Sequence, residues 1–135
     1  ILEDLEKIKK PFVLHTRKAE RDVIDMLEST TLKKVVFHCF TGNFKLVKRI
    51  VDNNWLLSIP PTILRALHFQ GVVDIVPLSQ LVTETDAPYL CPPGEQRNEP
   101  AFVARTVEKI AQIKKITSPE AQNIIFMNYQ KVFMQ

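Results

Sequence analysis

Short apolar runs alternate with amphipathic stretches four times along the chain. The runs cover residues 12–15, 35–38, 55–59 and 81–84, and none shows the two-residue polar alternation of a half-buried strand. Each run therefore predicts a strand that is buried on both faces. Between the runs, apolar residues at helical spacing predict helices over 18–29, 44–52 and 62–76. Such alternation is typical of a parallel sheet covered by helices.

Several predicted helices have recognisable ends and inward faces. Residues 1–10 predict the end of an amphipathic helix, which Pro11 closes. The predicted inward faces include Met26 on the helix over 18–29 and Phe44 on the helix over 44–52. Asn98 follows a loop rich in Pro and predicts the N-cap of a long helix through about residue 115. Ser118 and the proline after it open a last helix.

Composition narrows the class of protein. A chain of 135 residues that is 45% hydrophobic and 24% charged predicts one globular unit over residues 1–135 and excludes a disordered tail, a collagen-like fibre and a disulfide miniprotein. The formal charge of +3 is too small for a nucleic-acid packaging protein. Two cysteines without a C-x-x-C pair, and the lack of any stretch long enough to span a membrane, predict a reducing, cytoplasmic setting. Because the chain opens at Ile1 within a predicted helix, we expect that upstream sequence is missing.

The alternation fits either an open doubly wound sheet or part of a closed barrel. No glycine-rich nucleotide-binding motif follows any predicted strand. In both architectures the active site is built at the carboxyl ends of the strands. Candidate chemistry is therefore expected at those ends.

Two histidines and one aspartate stand at such ends. His15 and His38 close the first two predicted strands, and Asp86 follows the fourth. Two imidazoles and a carboxylate at one rim predict a site for a divalent metal ion. A histidine at a strand end can also be a hydrogen-bonded structural residue, and that alternative stays open here. His68 has no such strand context and is interpreted as a surface or packing residue.

Four motifs carry a family resemblance. FVLHTR (12–17), FHCFTG (37–42), ETDAPY (84–89) and RNEP (97–100) resemble, in order, the signatures of the TatD family of metal-dependent deoxyribonucleases. The resemblance implies a (β/α)8 barrel of the amidohydrolase type that binds two divalent ions (Mg, Mn or Zn) and hydrolyses phosphodiester bonds in DNA, as an exonuclease on single strands. It also implies that His15 and His38 bind one ion. Asp86 would bind the other ion and accept a proton from the attacking water.

Further residues near these motifs have two interpretations each. Arg17 and Arg97 could hold a phosphate bidentately or form salt bridges on the rim, and Tyr89 could stack on a base. Glu84 is either a buried structural carboxylate or a catalytic one. Cys39 is interpreted as a small core residue rather than a nucleophile.

The chain also departs from the family pattern. A barrel of this kind needs roughly 250 residues and eight strands, whereas four strands are predicted here. The H-x-H pair of the family's first strand and the metal-bridging Glu of its fourth are absent. The chain is thus predicted to be the C-terminal half, strands five to eight, of a TIM-type barrel. A second chain or a missing N-terminal segment would complete it. The alternatives are another metal-dependent hydrolase of the same superfamily and a half-barrel that is catalytically incomplete by itself.

Overall fold

The sheet has four parallel strands. A computed structural model of the chain describes residues 6–8 and 10–134. The strands are β1 (Phe12–His15), β2 (Val35–His38), β3 (Leu56–Ile59) and β4 (Leu81–Thr83). They pair in parallel in the order β1-β2-β3-β4, so β1 and β4 form the two edges. The predicted parallel α/β class and the positions of all four strands are confirmed. The predicted burial on both faces is wrong for β1, an edge strand on which Val13 is 56% exposed.

Helices connect the strands. They are α1 (Glu20–Glu28), α2 (Phe44–Asp52), α3 (Leu67–Ile75), α4 (Val103–Lys114) and α5 (Ser118–Phe133), with 3-10 turns at Pro61–Leu64, Leu78–Gln80 and Pro100–Phe102. The single helix predicted over 62–76 is wrong, because the extended backbone of Ala66 separates a 3-10 turn from α3. The helix predicted over 1–10 lies mostly outside the described residues, of which 6–8 are helical.

One face of the sheet carries the main core. Successive strand residues point to opposite faces, and alternate ones pack against α1 to α4. The strand residues of this core are Phe12, Leu14, Val35, Phe37, Leu57, Ile59 and Leu81. Apolar residues of the helices, such as Ile24, Val47 and Ile110, cover them from outside. Burial of this apolar surface is the main stabilising contribution to the fold.

The last helix closes part of the opposite face. Val132 of α5 packs in a second apolar cluster with Val36, Leu56 and Val82. Asn128, on the same helix, donates from Nδ2 to the carbonyl oxygens of Leu78 at 2.7 Å and Leu81 at 2.8 Å. These contacts hold α5 against the start of β4.

Two predicted inward residues are in fact exposed. Met26 is 51% exposed, because it lies about 200° around α1 from the buried Ile24. Phe44, the first residue of α2, is 47% exposed and stacks on the ring of His68, with ring centroids 5.6 Å apart. That contact, together with His68 Nε2 lying 3.1 Å from the Phe40 carbonyl, agrees with the packing role predicted for His68.

Two further observations concern the described residues as a whole. No helix among them has the length and apolar content needed to cross a membrane. Cys39 and Cys91 are both free.

Candidate active site

The sheet face opposite the main core, here called the inner face, changes from apolar to polar toward the carboxyl ends of the strands. Each strand carries an apolar residue that is followed two positions later by a polar one, in the strand or directly after it: Val13 and His15, Val36 and His38, Leu56 and Ser58, Val82 and Glu84. Because side chains two apart share a face, the four polar groups form one layer above the four apolar ones. This layer is where the candidate chemistry gathers.

His38 lies at the centre of the polar layer. Its Nδ1 is 2.6 Å from Glu84 Oε2, and its Nε2 is 3.8 Å from Asp86 Oδ1. The ring of His15 lies beside it, with centroids 5.6 Å apart and planes tilted by 39°. The structure therefore brings together the three residues predicted as metal ligands, His15, His38 and Asp86.

Glu84 is held from two sides. Its Oε2 accepts a hydrogen bond from the Ser58 hydroxyl in addition to contacting His38. Its Oε1 is buried and has no hydrogen-bond partner among the described residues. Burial raises the pKa of the Glu84 carboxyl, and the Ser58 and His38 contacts oppose that rise.

A small cleft opens between the strand ends. It has a volume of about 60 Å³ and is lined by His15, Thr16, Arg17, His38, Cys39, Thr41, Asp86 and Leu90. Arg17 thus shares the cleft with the candidate ligands. Arg97 and Tyr89 are exposed and are not part of this lining.

Cys39 is a half-buried thiol at the cleft. Burial, together with the charges of Glu84 and Asp86, raises the pKa of Cys39 to about 11. The protonated thiol predominates at neutral pH, and thiols are poor nucleophiles in that form. This agrees with the interpretation of Cys39 as a packing residue rather than a nucleophile.

The loop after β4 places Asp86. Asp86 has a φ of 59°, in the left-handed region that Asp tolerates better than most residues. The buried Asn98 holds this loop by donating from Nδ2 to the carbonyl oxygens of Thr85 and Tyr89, both at 2.5 Å. The N-cap role predicted for Asn98 is wrong, since a 3-10 turn precedes α4 and the amide of Asn98 turns back into the loop.

Ser58 also belongs to the polar layer, although the sequence pattern did not predict a role for it. It is buried and is the single polar residue of β3, which reads LLSI. A buried hydroxyl in an otherwise apolar strand requires a hydrogen-bond partner. That requirement is the signal that could have pointed to Glu84.

The donor atoms fit part of a metal site. His38 Nε2 and Asp86 Oδ1 lie 3.8 Å apart and both line the cleft. Imidazole nitrogens and carboxylate oxygens are both ligands of divalent ions. Within the part of the chain that the structure describes, no group of three or more His, Cys, Asp or Glu side chains is arranged to hold an ion. The chain therefore presents a pair of facing donors with His15 nearby, and not a closed site.

Comparison with known proteins identifies the family. The model of the TatD-related DNase family matches residues 3–134. The chain belongs to this family. It is 35% identical over 128 residues to the uncharacterized metal-dependent hydrolase MJ1582 of Methanocaldococcus jannaschii, covering 95% of this chain and 51% of that protein. It is 34% identical over 128 residues to the deoxyribonuclease TATDN3 of Homo sapiens, covering 95% of this chain and 47% of that protein.

The fold is that of solved TatD structures. The TatD homolog YJJV of Escherichia coli superposes with a TM-score of 0.90 at 25% identity, over 99% of this chain and 54% of that one. The chain thus spans about half the length of the relatives it matches. Membership of the TatD-related family confirms the resemblance carried by the four motifs.

Proposed function

We propose that this chain contributes the metal-binding strand ends of a hydrolase that cleaves phosphodiester bonds in DNA. The observation that carries the proposal is the meeting of His15, His38 and Asp86 in one cleft at the carboxyl ends of β1, β2 and β4. The family description and the names of the relatives support a metal-dependent reaction and a DNA substrate.

Each candidate ligand has a defined task in this proposal. His15 and His38 hold one of two divalent ions, Mg, Mn or Zn, and Asp86 holds the other. When bound, such ions supply the charge that polarises a phosphate and lowers the pKa of water. Asp86 is 43% exposed on its side chain, so it can reach solvent and accept the proton of the attacking water.

Substrate contacts come from the rim. Arg17 lines the cleft, where its guanidinium can hold a phosphate with two hydrogen bonds. The exposed Arg97 and Tyr89 stand on the loop that follows Asp86, outside the cleft. There they can contact a neighbouring phosphate and stack on a base, as expected for an exonuclease acting on single strands.

We also propose that β1 to β4 correspond to strands five to eight of a (β/α)8 barrel. At the β1 edge Val13 is 56% exposed on the inner face. Beside β4 a cavity of about 570 Å³ is lined by Val82, Thr83, Phe126 and Tyr129, among others. A further polypeptide segment, in the same chain or in a second one, would pair with both edges and cover these apolar residues.

A specific observation favours a second candidate, a chain that is catalytically incomplete by itself. The described residues do not assemble three metal ligands, whereas a catalytic metal site takes at least that number from the protein. Without the remaining ligands, an ion at this cleft is bound weakly. A different substrate within the same superfamily is the third possibility, because the fold does not fix the substrate.

Two measurements test these proposals. The intact mass of the protein purified from its natural source shows whether it exceeds the 15.5 kDa of this chain. Cleavage of a labelled single-stranded oligonucleotide is then assayed with Mg²⁺, Mn²⁺ and Zn²⁺, for the natural protein and for the 135-residue chain. We expect cleavage by a longer protein, its loss in Asp86→Asn and His15→Ala, and none from the chain alone.

The control is Asp52→Asn on the exposed end of α2, which leaves the rate unchanged. Wild-type cleavage by Asp86→Asn would refute the proposed site. Strong, EDTA-sensitive cleavage by the chain alone would refute its incompleteness. Activity toward a small ester but not toward DNA would replace the proposed substrate with that of another hydrolase.

A further inference from the structure

We propose that Glu84 is a positioning residue that, anchored by Ser58, holds the His38 ring with its proton on Nδ1 and its bare Nε2 toward Asp86. The inference deepens the proposed function, since it concerns how the chain prepares His38 as a ligand. It rests on the geometry of three neighbouring strand ends.

The backbone fixes where Glu84 begins. Its N–H donates to the Ile59 carbonyl at 3.1 Å, which continues the pairing between β3 and β4 by one residue. In the strand register His38 lies opposite Ser58, and Ser58 lies opposite Val82. Ser58 therefore stands between the other two side chains and can fasten the carboxylate that crosses in front of it.

The hydrogen bonds then fix the ring. Oε2 of Glu84 accepts a hydrogen bond from the Ser58 hydroxyl and lies 2.6 Å from His38 Nδ1. A carboxylate oxygen only accepts, so the ring nitrogen facing it is the one that carries the proton. In a neutral imidazole the other nitrogen then has the free lone pair. That nitrogen, Nε2, faces Asp86 Oδ1 at 3.8 Å.

Burying the Glu84 carboxyl group lowers the stability of the fold, which indicates a role for Glu84 beyond packing. The neighbouring layer on the same face is apolar, with Val36, Leu56 and Val82 in contact. Glu84 instead buries a carboxyl group, and its Oε1 finds no hydrogen-bond partner among the described residues. An unpaired buried polar atom is destabilising, and an apolar side chain would avoid the penalty. Retaining a carboxylate here is consistent with orienting a ligand, a role that carboxylates play beside metal-binding histidines.

The tautomer of His38 tests the inference without any bound metal. Long-range ¹H–¹⁵N spectra of the metal-free chain, labelled at its three histidines, distinguish a protonated ring nitrogen from a bare one. The spectra are recorded at mildly alkaline pH, and His38→Ala identifies the His38 signals. We expect Nδ1 protonated and Nε2 bare in the wild-type chain. Glu84→Leu has no acceptor, so His38 should become a mixture of the two neutral tautomers. Glu84→Gln keeps an acceptor oxygen and should retain the wild-type tautomer.

Zinc affinity gives a second readout. Glu84→Gln keeps the tautomer but loses the carboxylate charge that raises the basicity of the ring, so it should weaken Zn²⁺ binding by about 10–100-fold. Its matched control, Glu108→Gln on the exposed side of α4, should not change the affinity. A purely structural Glu84 would change the unfolding midpoint and leave both the tautomer and the zinc affinity unaltered.

The outcomes separate this inference from the proposed function. Wild-type His38 with its proton on Nε2, or a folded Glu84→Leu with an unchanged tautomer, overturns the role of Glu84. Should Glu84→Leu fail to fold, the wild-type spectrum and the response of Glu84→Gln to zinc decide. A wild-type chain that shows the expected tautomer, but whose Zn²⁺ affinity is unchanged in His38→Ala, supports the positioning role and counts against the metal role of His38.

Discussion

His38 Nε2 and Asp86 Oδ1 face each other across 3.8 Å, although the two residues are separated by two complete strand–helix units. The parallel order of the sheet makes this possible, because every strand delivers its carboxyl end to the same rim.

Removing either facing donor should weaken metal binding to the chain. His38→Ala removes a nitrogen donor and Asp86→Asn removes the negative charge of an oxygen donor. Both should lower Zn²⁺ affinity at least as much as loss of an outer partner, about 10-fold or more. Isothermal titration with Zn²⁺ measures the effect, with His68→Ala as a control outside the cleft. Equal zinc affinity in Asp86→Asn and the wild type would count against Asp86 as a metal ligand.

Asn98 should matter for stability more than its place in a loop suggests. It is 2% exposed, and its amide donates to two loop carbonyls at 2.5 Å. Asn98→Ala removes a buried side chain and both of these hydrogen bonds, so we expect a loss of roughly 1–3 kcal/mol in the free energy of unfolding. Urea unfolding followed by circular dichroism measures the loss, and limited proteolysis reports opening of residues 85–97. The exposed Asn123→Ala on α5 is the matched control, and equal stability of the two variants would contradict the role of Asn98.

Two glycines should respond oppositely to alanine. A Cβ on Gly42 would lie 2.6 Å from Cε1 of the buried Phe40 ring, which has no room to move. Gly42→Ala should therefore lower the free energy of unfolding by about 1–3 kcal/mol.

Gly71 lies within α3, and a Cβ there would meet the exposed ring of Phe44 at 2.8 Å. That ring can swing away, and alanine favours a helix by up to ~1 kcal/mol over glycine. Gly71→Ala should thus leave the free energy of unfolding unchanged or raise it. Urea unfolding of both glycine variants measures the difference. A larger loss of unfolding free energy in Gly71→Ala than in Gly42→Ala would show that the ring of Phe44, and not that of Phe40, is fixed in place.

The thiol of Cys39 should alkylate slowly at neutral pH. Its pKa is raised to about 11, so the reactive thiolate is scarce at pH 7 and increases only as the pH approaches that value. Mass spectrometry of the metal-free chain treated with iodoacetamide should show the rate at Cys39 increasing steeply above about pH 9, beyond the ordinary thiol pKa of about 8.5. The urea-denatured chain, where burial is lost, should react faster at pH 7. Rapid labelling of folded Cys39 at pH 7 would show that the thiol is not held in its protonated form.

Local pattern was sufficient for most of the fold. The four apolar runs indicated strands, and the amphipathic stretches between them indicated helices covering a sheet. Full burial was wrong for β1, because an edge strand has a neighbour on one side only and Val13 is left 56% exposed. The motifs at residues 12–17, 37–42, 84–89 and 97–100 carried the resemblance to the TatD family, and the family match over residues 3–134 confirms it. Two other predictions from local pattern were wrong, the unbroken helix across Ala66 and the N-cap role of Asn98. At both positions the local sequence allows more than one conformation or hydrogen-bond partner.

The sequence by itself determined which candidate residues lie at the carboxyl ends of the strands. His15 and His38 end apolar runs and Asp86 follows one, and a parallel sheet brings such positions to one rim. Only the tertiary structure decided the contacts between them. Ser58 and Glu84 are 26 positions apart, and nothing in their local sequence fixes the strand register that joins them at His38. Distances between side chains depend on register, twist and packing, which are properties of the whole sheet and are set by interactions far apart along the chain.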